Sequence, residues 1–335
     1  MADDGFQVAV PGGSGALPAA PDLPGLTLDD ASRVQAYVEK ASADATRRAY
    51  ASDWRTFTTW CGARALSSLP ASPETVAAFL AAQADGGLAR STIGRRLAAI
   101  AYVHRICGQV APADQPGGIL VETTMRGIRR DQRGMPSARK QAACGDVLRD
   151  MLRAIEGDSI RSVRDRALLA IGMGGALRRS ELVGIDLAHL TRTPKGLEIH
   201  LPSSKTDQEG KGALVVIPDR DRIAPVKLLD RWLEAAEIDE GPVFRKLTPQ
   251  GRLTAKRMSD RGVAIVVQQR AAAAGYDPKL FGGHSLRAGF LTEAGRQGAN
   301  VFRMKDHSRH RSLEMVSEYV RSQDLFRDHA GDGFL

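Results

Sequence analysis

The spacing of apolar residues is helical through most of this chain and changes to a strand pattern in one short region. Ile93, Leu97 and Ile100 stand three or four residues apart, which predicts a helix with one buried face. Residues 197–201 and 213–217 are instead alternating or continuously apolar, and the polar segment between them contains two glycines. This pattern predicts a β-hairpin. We therefore expect a mainly helical chain that contains one small β element.

The composition favours a helical interior and a polyanionic partner. Aromatic residues make up only 5% of the 335 residues, so small residues such as Ala must fill much of the core, which suits closely packed helices. This length is enough for about two domains. Lys and Arg number 47 against 39 Asp and Glu, and the resulting formal charge of +8 favours a polyanion as the partner.

Cysteine usage and hydropathy argue against secreted, zinc-binding and membrane proteins. Cys61, Cys107 and Cys144 are odd in number and widely spaced, so neither a disulfide framework nor a zinc cluster is expected. The longest uncharged apolar stretch, 167–177, is far shorter than the roughly 20 residues that a membrane span requires. No positive region followed by an apolar one opens the sequence, so no secretory signal is expected. We therefore expect a cytoplasmic protein with no metal, no other cofactor and no membrane partner.

A basic segment that contains glycine and proline divides the chain. Positions 126–140 hold six Lys or Arg residues against one Asp, and Gly134 and Pro136 interrupt the helical pattern there. The N-terminus is rich in Gly, Pro and Ala without an apolar period, which is typical of a flexible leader. The predicted organisation is a leader at 1–26, a helical domain at 27–127, a basic linker at 128–145, a second domain at 146–321 and a tail at 322–335.

Two pairs of residues in the second domain have a spacing that suits phosphate binding. Arg178 and Glu181 are three residues apart, so the carboxylate can orient the guanidinium, although exposed helix ion pairs of this kind are common. His284 and Arg287 are also three apart and follow two glycines, so both can face one anion near a helix start. The alternative for the second pair is a glycine-rich turn followed by an ordinary amphipathic helix.

Three further residues extend this set. Lys205 lies in the predicted hairpin turn, where a long cationic side chain can reach a partner, although most turn lysines contact only solvent. His310 precedes Tyr319 by nine residues, a separation that one unbroken helix would place on opposite faces. A shared site therefore requires a helix break, which we expect near Ser312. The alternative for Tyr319 is a tyrosine packed in the core.

Taken in order along the chain, these residues resemble the tyrosine recombinase, or phage integrase, family, and its Cre type most of all. Residues 177–182 are similar to the family's first arginine box, 284–287 to its His-x-x-Arg box, and 310–319 to its final histidine and nucleophile spacing. Lys205 falls between two predicted strands, as the family's lysine does. The resemblance covers nearly the whole chain.

The resemblance implies a fold and a chemistry. The implied fold is mainly α, with an all-helical N-terminal core-binding domain and a mixed α+β catalytic domain that is mostly helical and contains a small β-hairpin or sheet. The implied activity is that of a site-specific recombinase, which cleaves and rejoins DNA through a 3′-phosphotyrosyl intermediate and a Holliday junction without metal or ATP. The implied catalytic residues are Tyr319, Arg178, Lys205, His284, Arg287 and His310, with Glu181 in a supporting role.

Basic residues outside these boxes are candidates for DNA binding, and a solvated helix face is the alternative for each cluster. On predicted helices of the first domain and in the basic linker, they would place positive charge along a duplex. The candidates are Arg47, Arg48, Arg90, Arg95, Arg96, Arg126, Arg129, Arg130, Arg133, Arg139 and Lys140.

The resemblance also implies partners. They are double-stranded DNA with an inverted-repeat site, and three further copies of the chain in a homotetramer on two such sites, in a bacterial or phage setting at the nucleoid. The tail at 322–335 would then dock on a neighbouring subunit, with a frayed end as the alternative. A type IB-like topoisomerase or resolvase, and a non-catalytic DNA-binding regulator, are the competing functions. The tail argues against the first, and the complete set from Arg178 to Tyr319 argues against the second.

Two residues near the last histidine depart from the family pattern. Arg309 stands where the family usually has Gly, so the local geometry is expected to differ there. His307 competes with His310 for the histidine position, but it lies twelve residues before Tyr319 and breaks the family spacing. We therefore expect His307 at the surface.

Overall fold

A computed structural model of the chain describes residues 44–134, 140–202 and 212–321, together with Asp29 and Arg33. Several features predicted from the sequence lie outside these residues. They are the leader at 1–26, Arg139 in the linker, the hairpin residue Lys205 and the tail at 322–335.

The chain falls into two compact units, Met1–Ser137 and Ala138–Leu335. The division lies inside the segment at 128–145 that the sequence predicts as a linker. The first residues of that segment still belong to a helix, which ends at Asp131. Arg129 and Arg130, which the sequence places in the linker, therefore belong to a helix of the first unit.

The first unit is all-helical in the part of it that the structure describes. The apolar stripes seen in the sequence form its core, where Phe57, Phe79 and Ile100 have no exposed surface. Its helices are α1 (Asp44–Gly62), α2 (Pro73–Asp85), α3 (Arg90–Ile106) and α4 (Ile119–Asp131), with a 3₁₀ turn at Pro112–Asp114.

Helix α2 begins where the sequence predicts a helix start. The Oγ of Ser72 accepts the N–H of Thr75 at 3.2 Å, so it satisfies one of the donors that the first turn leaves unpaired. Pro73 occupies the first turn, where its missing N–H costs nothing, and Glu74 places a carboxylate at the positive end of the helix dipole.

The second unit is mostly helical and contains two small antiparallel sheets. Its helices are α5 (Gly145–Arg153), α6 (Ile160–Gly174), α7 (Arg179–Gly184), α8 (Pro225–Ala235), α9 (Asp260–Ala273), α10 (Ser285–Arg296), α11 (Val301–Ser308) and α12 (Leu313–Arg321). Its strands are β1 (Leu190–Thr193), β2 (Gly196–Leu201), β3 (Ala213–Pro218), β4 (Arg245–Leu247) and β5 (Leu253–Arg257). Short 3₁₀ turns lie at Leu187–His189 and Pro278–Leu280.

The predicted hairpin is confirmed, with a third strand added to it. Strands β2 and β3 pair antiparallel, from Gly196 opposite Pro218 to Leu201 opposite Ala213. Strand β1 pairs with the other edge of β2, so the sheet order is β1-β2-β3. Strands β4 and β5 form a separate two-stranded sheet.

A close backbone approach fixes the position of helix α10. The N–H of Ala143, just before α5, donates to the carbonyl of Ser285 at 2.9 Å. At Gly289, an added Cβ would lie 2.0 Å from the Ala143 carbonyl oxygen, so only glycine allows this contact. This contact packs helix α10, which carries Arg287, directly against the segment that precedes α5.

In the ranges described, no helix is long and apolar enough to cross a membrane.

Candidate active site

Glu181 accepts hydrogen bonds from both the backbone and the side chain of Arg178. It is the N-cap of α7, where its N–H donates to Oε2 of Glu181 at 2.8 Å and its Nη1 donates to Oε1. The sequence predicts this pair on one helix face, whereas the structure places Arg178 just before the first turn. A single carboxylate therefore caps the helix and orients the guanidinium.

Arg287 points from α10 to the segment that precedes Arg178. It is only 5% exposed, and its Nη1 donates to the carbonyl of Ala176 at 2.7 Å. Burial, together with the positive charges of Arg178 and Arg309, lowers the pKa of Arg287 to about 9. Because no carboxylate hydrogen-bonds to it among the contacts seen, the site holds a desolvated cation that suits an incoming anion.

His310 lies in the break between α11 and α12. Helix α11 ends at Ser308 and α12 begins at Leu313, so the break expected near Ser312 is confirmed. The Nδ1 of His310 lies 3.3 Å from Nη2 of Arg287. The same Nδ1 lies 2.7 Å from Oγ of Ser308, so His310 connects Arg287 to the C-terminal end of α11.

Tyr319 lies on α12 and is half-buried beside the histidine. Its ring centroid is 6.3 Å from that of His310, at an interplanar angle of 52°. The ring packs against the small apolar cluster of Leu291, Met304 and Val316. The apolar contact expected of a core tyrosine is therefore present, and it anchors the ring next to the histidine.

The remaining two predicted catalytic residues have different outcomes. His284 is the N-cap of α10 and is exposed, three residues before Arg287 on the same helix start. Lys205 lies outside the described residues, between β2 and β3. The structure thus brings together four of the six predicted residues, Arg178, Arg287, His310 and Tyr319.

Arg309 joins this centre, and its part in it could not be predicted from the sequence. It has φ 56° and ψ 45°, the left-handed conformation that glycine adopts without strain. Its Nη2 donates to Oε2 of Glu181 at 2.8 Å, and its carbonyl accepts from Nη2 of Arg178 at 3.0 Å. The only signal in the sequence is that an arginine replaces the family's glycine.

The prediction that His307 lies at the surface is wrong. Its ring is half-buried and stacks on Phe290, with the centroids 4.5 Å apart. Its Nε2 lies 2.9 Å from the carbonyl of Gly174. Burial lowers the pKa of His307, which favours the neutral form of this packed histidine.

The predicted DNA-binding arginines of the first unit differ in how they are held. Arg48 and Arg90 are exposed, whereas Arg47 is half-buried. The Nε of Arg95 lies 2.7 Å from Oδ2 of Asp53, a carboxylate that is only 3% exposed. The Nε of Arg96 lies 3.6 Å from the other oxygen of the same carboxylate. Arg95 and Arg96 therefore connect α3 to α1, and this structural role is separate from any contact with DNA.

The basic residues near the unit boundary are exposed where the structure describes them. Lys140 is exposed, and its ammonium donates to the carbonyl of Lys279. The other exposed members of this group are Arg126, Arg129, Arg130 and Arg133. Among the described residues, no group of three or more His, Cys, Asp or Glu side chains is arranged to hold a metal ion.

His310 should remain neutral in the DNA-free protein down to about pH 4. Burial and the positive charges of Arg287, Arg178 and Arg309 lower its pKa from 6.5 to about 4. The pKa can be measured by NMR titration of protein with ¹⁵N-labelled histidine, with the resonance assigned by its absence in His310→Gln. A midpoint near pH 6.5 would contradict the burial and charge that the structure gives this ring.

Comparison with known proteins gives matches over most of the chain. Residues 144–325 match the phage integrase family, and residues 35–107 match the phage integrase N-terminal SAM-like domain. An integrase/recombinase XerD homolog from Selenomonas ruminantium is 36% identical over 295 residues, covering 88% of this chain and 86% of that protein. The recombinase Cre of Escherichia phage P1 is 24% identical over 287 residues, covering 81% and 82%. The expected resemblance to Cre is thus present but weaker than that to the XerD homolog.

Solved structures share the fold at low sequence identity. A lambda integrase dimer bound to a COC′ core site has a TM-score of 0.54 at 15% identity, covering 89% of this chain and 79% of that one. The XerH site-specific recombinase bound to its difH substrate, in a pre-cleavage complex, has a TM-score of 0.54 at 15% identity, covering 83% and 77%. The predicted fold class is confirmed by these neighbours and by the two units described.

Proposed function

Because this chain belongs to the phage integrase family and is a site-specific tyrosine recombinase, we propose that it cleaves DNA through Tyr319 at a phosphate held by Arg178 and Arg287. The observation that carries this proposal is the buried guanidinium of Arg287, which lies beside His310 in a centre that also contains Arg178 and Tyr319. A cation buried among other cations is stabilised when an anion enters. A phosphodiester is such an anion.

The cleavage step is a displacement at phosphorus. The Oη of Tyr319 forms a bond to the scissile phosphorus, and the bond from phosphorus to the 5′ oxygen breaks. Charge that builds on the nonbridging oxygens is stabilised by the planar guanidinium groups of Arg178 and Arg287 and by a ring N–H of His310. The product is DNA joined to Tyr319 through a 3′ phosphate, with a free 5′ hydroxyl.

Two proton transfers accompany this displacement. An unperturbed tyrosine has a pKa of about 10, so a free phenolate at neutral pH costs roughly 4 kcal/mol without help. His284, at the exposed start of α10, is the proposed acceptor of the phenol proton. Lys205 is the proposed donor that protonates the leaving 5′ oxygen, a role that rests on the family resemblance. Replacement of Lys205 by Ala should then slow cleavage more than it weakens binding.

Rejoining reverses the same step with a different strand. The 5′ hydroxyl of a partner strand attacks the phosphotyrosine, and Tyr319 leaves as the phenol. Bond energy is conserved in the intermediate, so this step requires no nucleotide hydrolysis. We propose that two rounds of this exchange pass through a Holliday junction held by a homotetramer on two inverted-repeat sites, with the tail at 322–335 docked on the neighbouring subunit.

The proposal is tested first by finding the DNA that the protein selects. The full chain would be used to capture fragments of the chromosomal DNA of its source, and the bound fragments would be sequenced for inverted repeats. Duplexes that carry the recovered site and a nick next to the scissile phosphate should then give an SDS-resistant protein–DNA adduct. Cleavage releases a short fragment that carries the free 5′ hydroxyl. Because this fragment diffuses away, it cannot attack the phosphotyrosine again, and the adduct accumulates.

The competing functions give different results with plasmids. A recombinase should recombine a supercoiled plasmid that carries two copies of the site and leave a plasmid without the site unchanged. A topoisomerase would relax any supercoiled plasmid, and a non-catalytic regulator would bind the site but form no adduct. Either of those two results would overturn the proposal.

A further inference from the structure

We propose that Arg309 is a positioning residue that neutralises Glu181, so that the positive charge of Arg178 remains available to the scissile phosphate. The inference rests on the proposed function, because it concerns the charge balance of the cleavage step. It assigns a task to the arginine that occupies the family's glycine position.

The contacts of Arg309 place its charge inside the centre. Its side chain is only 9% exposed, and its Nη2 lies 2.8 Å from Oε2 of Glu181. The side chain of Glu181 is 3% exposed, so the two charges face each other almost without solvent. The Nη1 of Arg309 donates to the carbonyl of His307 at 2.6 Å, which fixes the direction of the guanidinium.

The charge balance depends on this second cation. A buried carboxylate must be paired, and with Arg178 as its only partner the pair Arg178–Glu181 would be neutral. Arg287 would then supply the only net positive charge among these groups. With Arg309 present, Glu181 is paired with two guanidinium groups, and together with Arg287 these four side chains carry a net charge of +2.

That charge matches the reaction. A phosphodiester carries one negative charge, and attack by a tyrosine oxygen that loses its proton brings a second, so the pentacoordinate transition state approaches −2. A centre of +2 therefore balances the charge of the transition state. A centre of +1 would balance the ground state alone.

The backbone conformation at Arg309 does not favour an arginine there. The left-handed conformation is one that glycine adopts more readily than any other residue. The Nε of Arg309 is buried and has no hydrogen-bond partner in the described structure. The guanidinium also donates to the carbonyls of His307 at 2.6 Å and Ala176 at 3.3 Å, but among the described contacts Glu181 is its only charged hydrogen-bond partner.

The test compares variants of Arg309 on two kinds of scissile linkage. Arg309→Gly keeps the backbone conformation and removes the charge, Arg309→Met removes the charge but retains much of the side-chain length, and Arg309→Lys keeps the charge. The matched control is Glu237→Gly, which places glycine at another left-handed position, φ 47°, on an exposed residue outside the site. Each protein would be given nicked duplexes with either a phosphodiester or a methylphosphonate, which lacks one negative charge, at the scissile position.

The two neutral variants should cleave the phosphodiester about 10- to 100-fold more slowly than wild type in single-turnover assays. On the methylphosphonate, whose transition state carries one negative charge fewer, the loss should shrink to a few-fold. Arg309→Lys should keep most of the rate, and Glu237→Gly should match wild type on both substrates. The ratio of the two rates is measured within one preparation and is therefore independent of the folded fraction.

The outcomes separate this inference from the proposed function. If the wild-type chain forms no adduct on either linkage, the proposed function fails and this inference fails with it. If wild type cleaves and the neutral variants lose the same factor on both linkages, Arg309 is structural and only this inference is overturned. Unchanged rates in the neutral variants would overturn it as well.

Discussion

Replacing Tyr319 by Phe should abolish the covalent adduct while leaving DNA affinity unchanged. The substitution removes only the oxygen that attacks phosphorus and keeps the ring against Leu291, Met304 and Val316. Loss of a covalent nucleophile lowers turnover on the order of 10⁶-fold, which is below detection in an adduct assay. The measurement is the yield of SDS-resistant adduct on the nicked duplex, together with a binding isotherm on the same DNA.

The matched control is another tyrosine of the second unit. The Oη of Tyr276 donates to the carboxylate of Asp150 at 2.7 Å, so Tyr276→Phe also removes one hydroxyl from a packed ring. That variant should cleave like wild type. Persistence of the adduct in Tyr319→Phe would show that another residue is the nucleophile, and loss in both variants would point to a folding defect.

Replacing Arg287 by Met should slow cleavage by about 10³-fold and at the same time stabilise the DNA-free protein. The rate falls because one of the two guanidinium groups on the nonbridging oxygens is gone. Stability rises because Arg287 is a buried cation next to Arg178 and Arg309, and burial lowers its pKa to about 9. An apolar side chain of similar volume removes the desolvation cost of that charge, and replacement of whole buried ion pairs in this way stabilises by about 1–4 kcal/mol in favourable cases.

Arg270 supplies the contrast, because it is a half-buried arginine that is paired with a carboxylate. Its Nη2 lies 2.6 Å from Oδ2 of Asp165, a carboxylate with no exposed surface whose other oxygen pairs with Arg164. Arg270→Met removes one of the two guanidinium groups that pair with Asp165, so it should lower the free energy of unfolding by about 1–3 kcal/mol. Denaturant unfolding of both variants gives the comparison. A loss of stability in Arg287→Met equal to that in Arg270→Met would mean that Arg287 serves mainly to hold the fold.

Elements with strong local signals could be predicted from the sequence. Ser72 with Pro73 marks the start of α2, and the apolar alternation of 197–201 and 213–217 marks β2 and β3. Strand β1 could not be predicted, because Leu190–Thr193 is short and mostly polar and is held by pairing with β2. Such a strand is specified by its neighbour and not by its own residues.

The candidate site shows the same division. The need for a break between His310 and Tyr319 follows from helix geometry alone, and the ends of α11 and α12 confirm it. The contact of Arg309 with Glu181 joins residues 128 positions apart in sequence, so no local pattern could reveal it. The stacking of His307 on Phe290 is also set by how α10 and α11 pack, which is why its surface prediction failed.

The ion pairs of Asp53 restrict how the chain could be retargeted to new DNA by directed evolution. A library that randomises exposed arginines freely can include Arg48 and Arg90, whose side chains lie at the surface. Arg95 and Arg96 share the buried carboxylate of Asp53. Loss of both arginines would leave that carboxylate unpaired and lower the free energy of unfolding by about 3–5 kcal/mol. Those two positions should therefore be varied together with Asp53, or most members of the library will be lost to unfolding before specificity is selected.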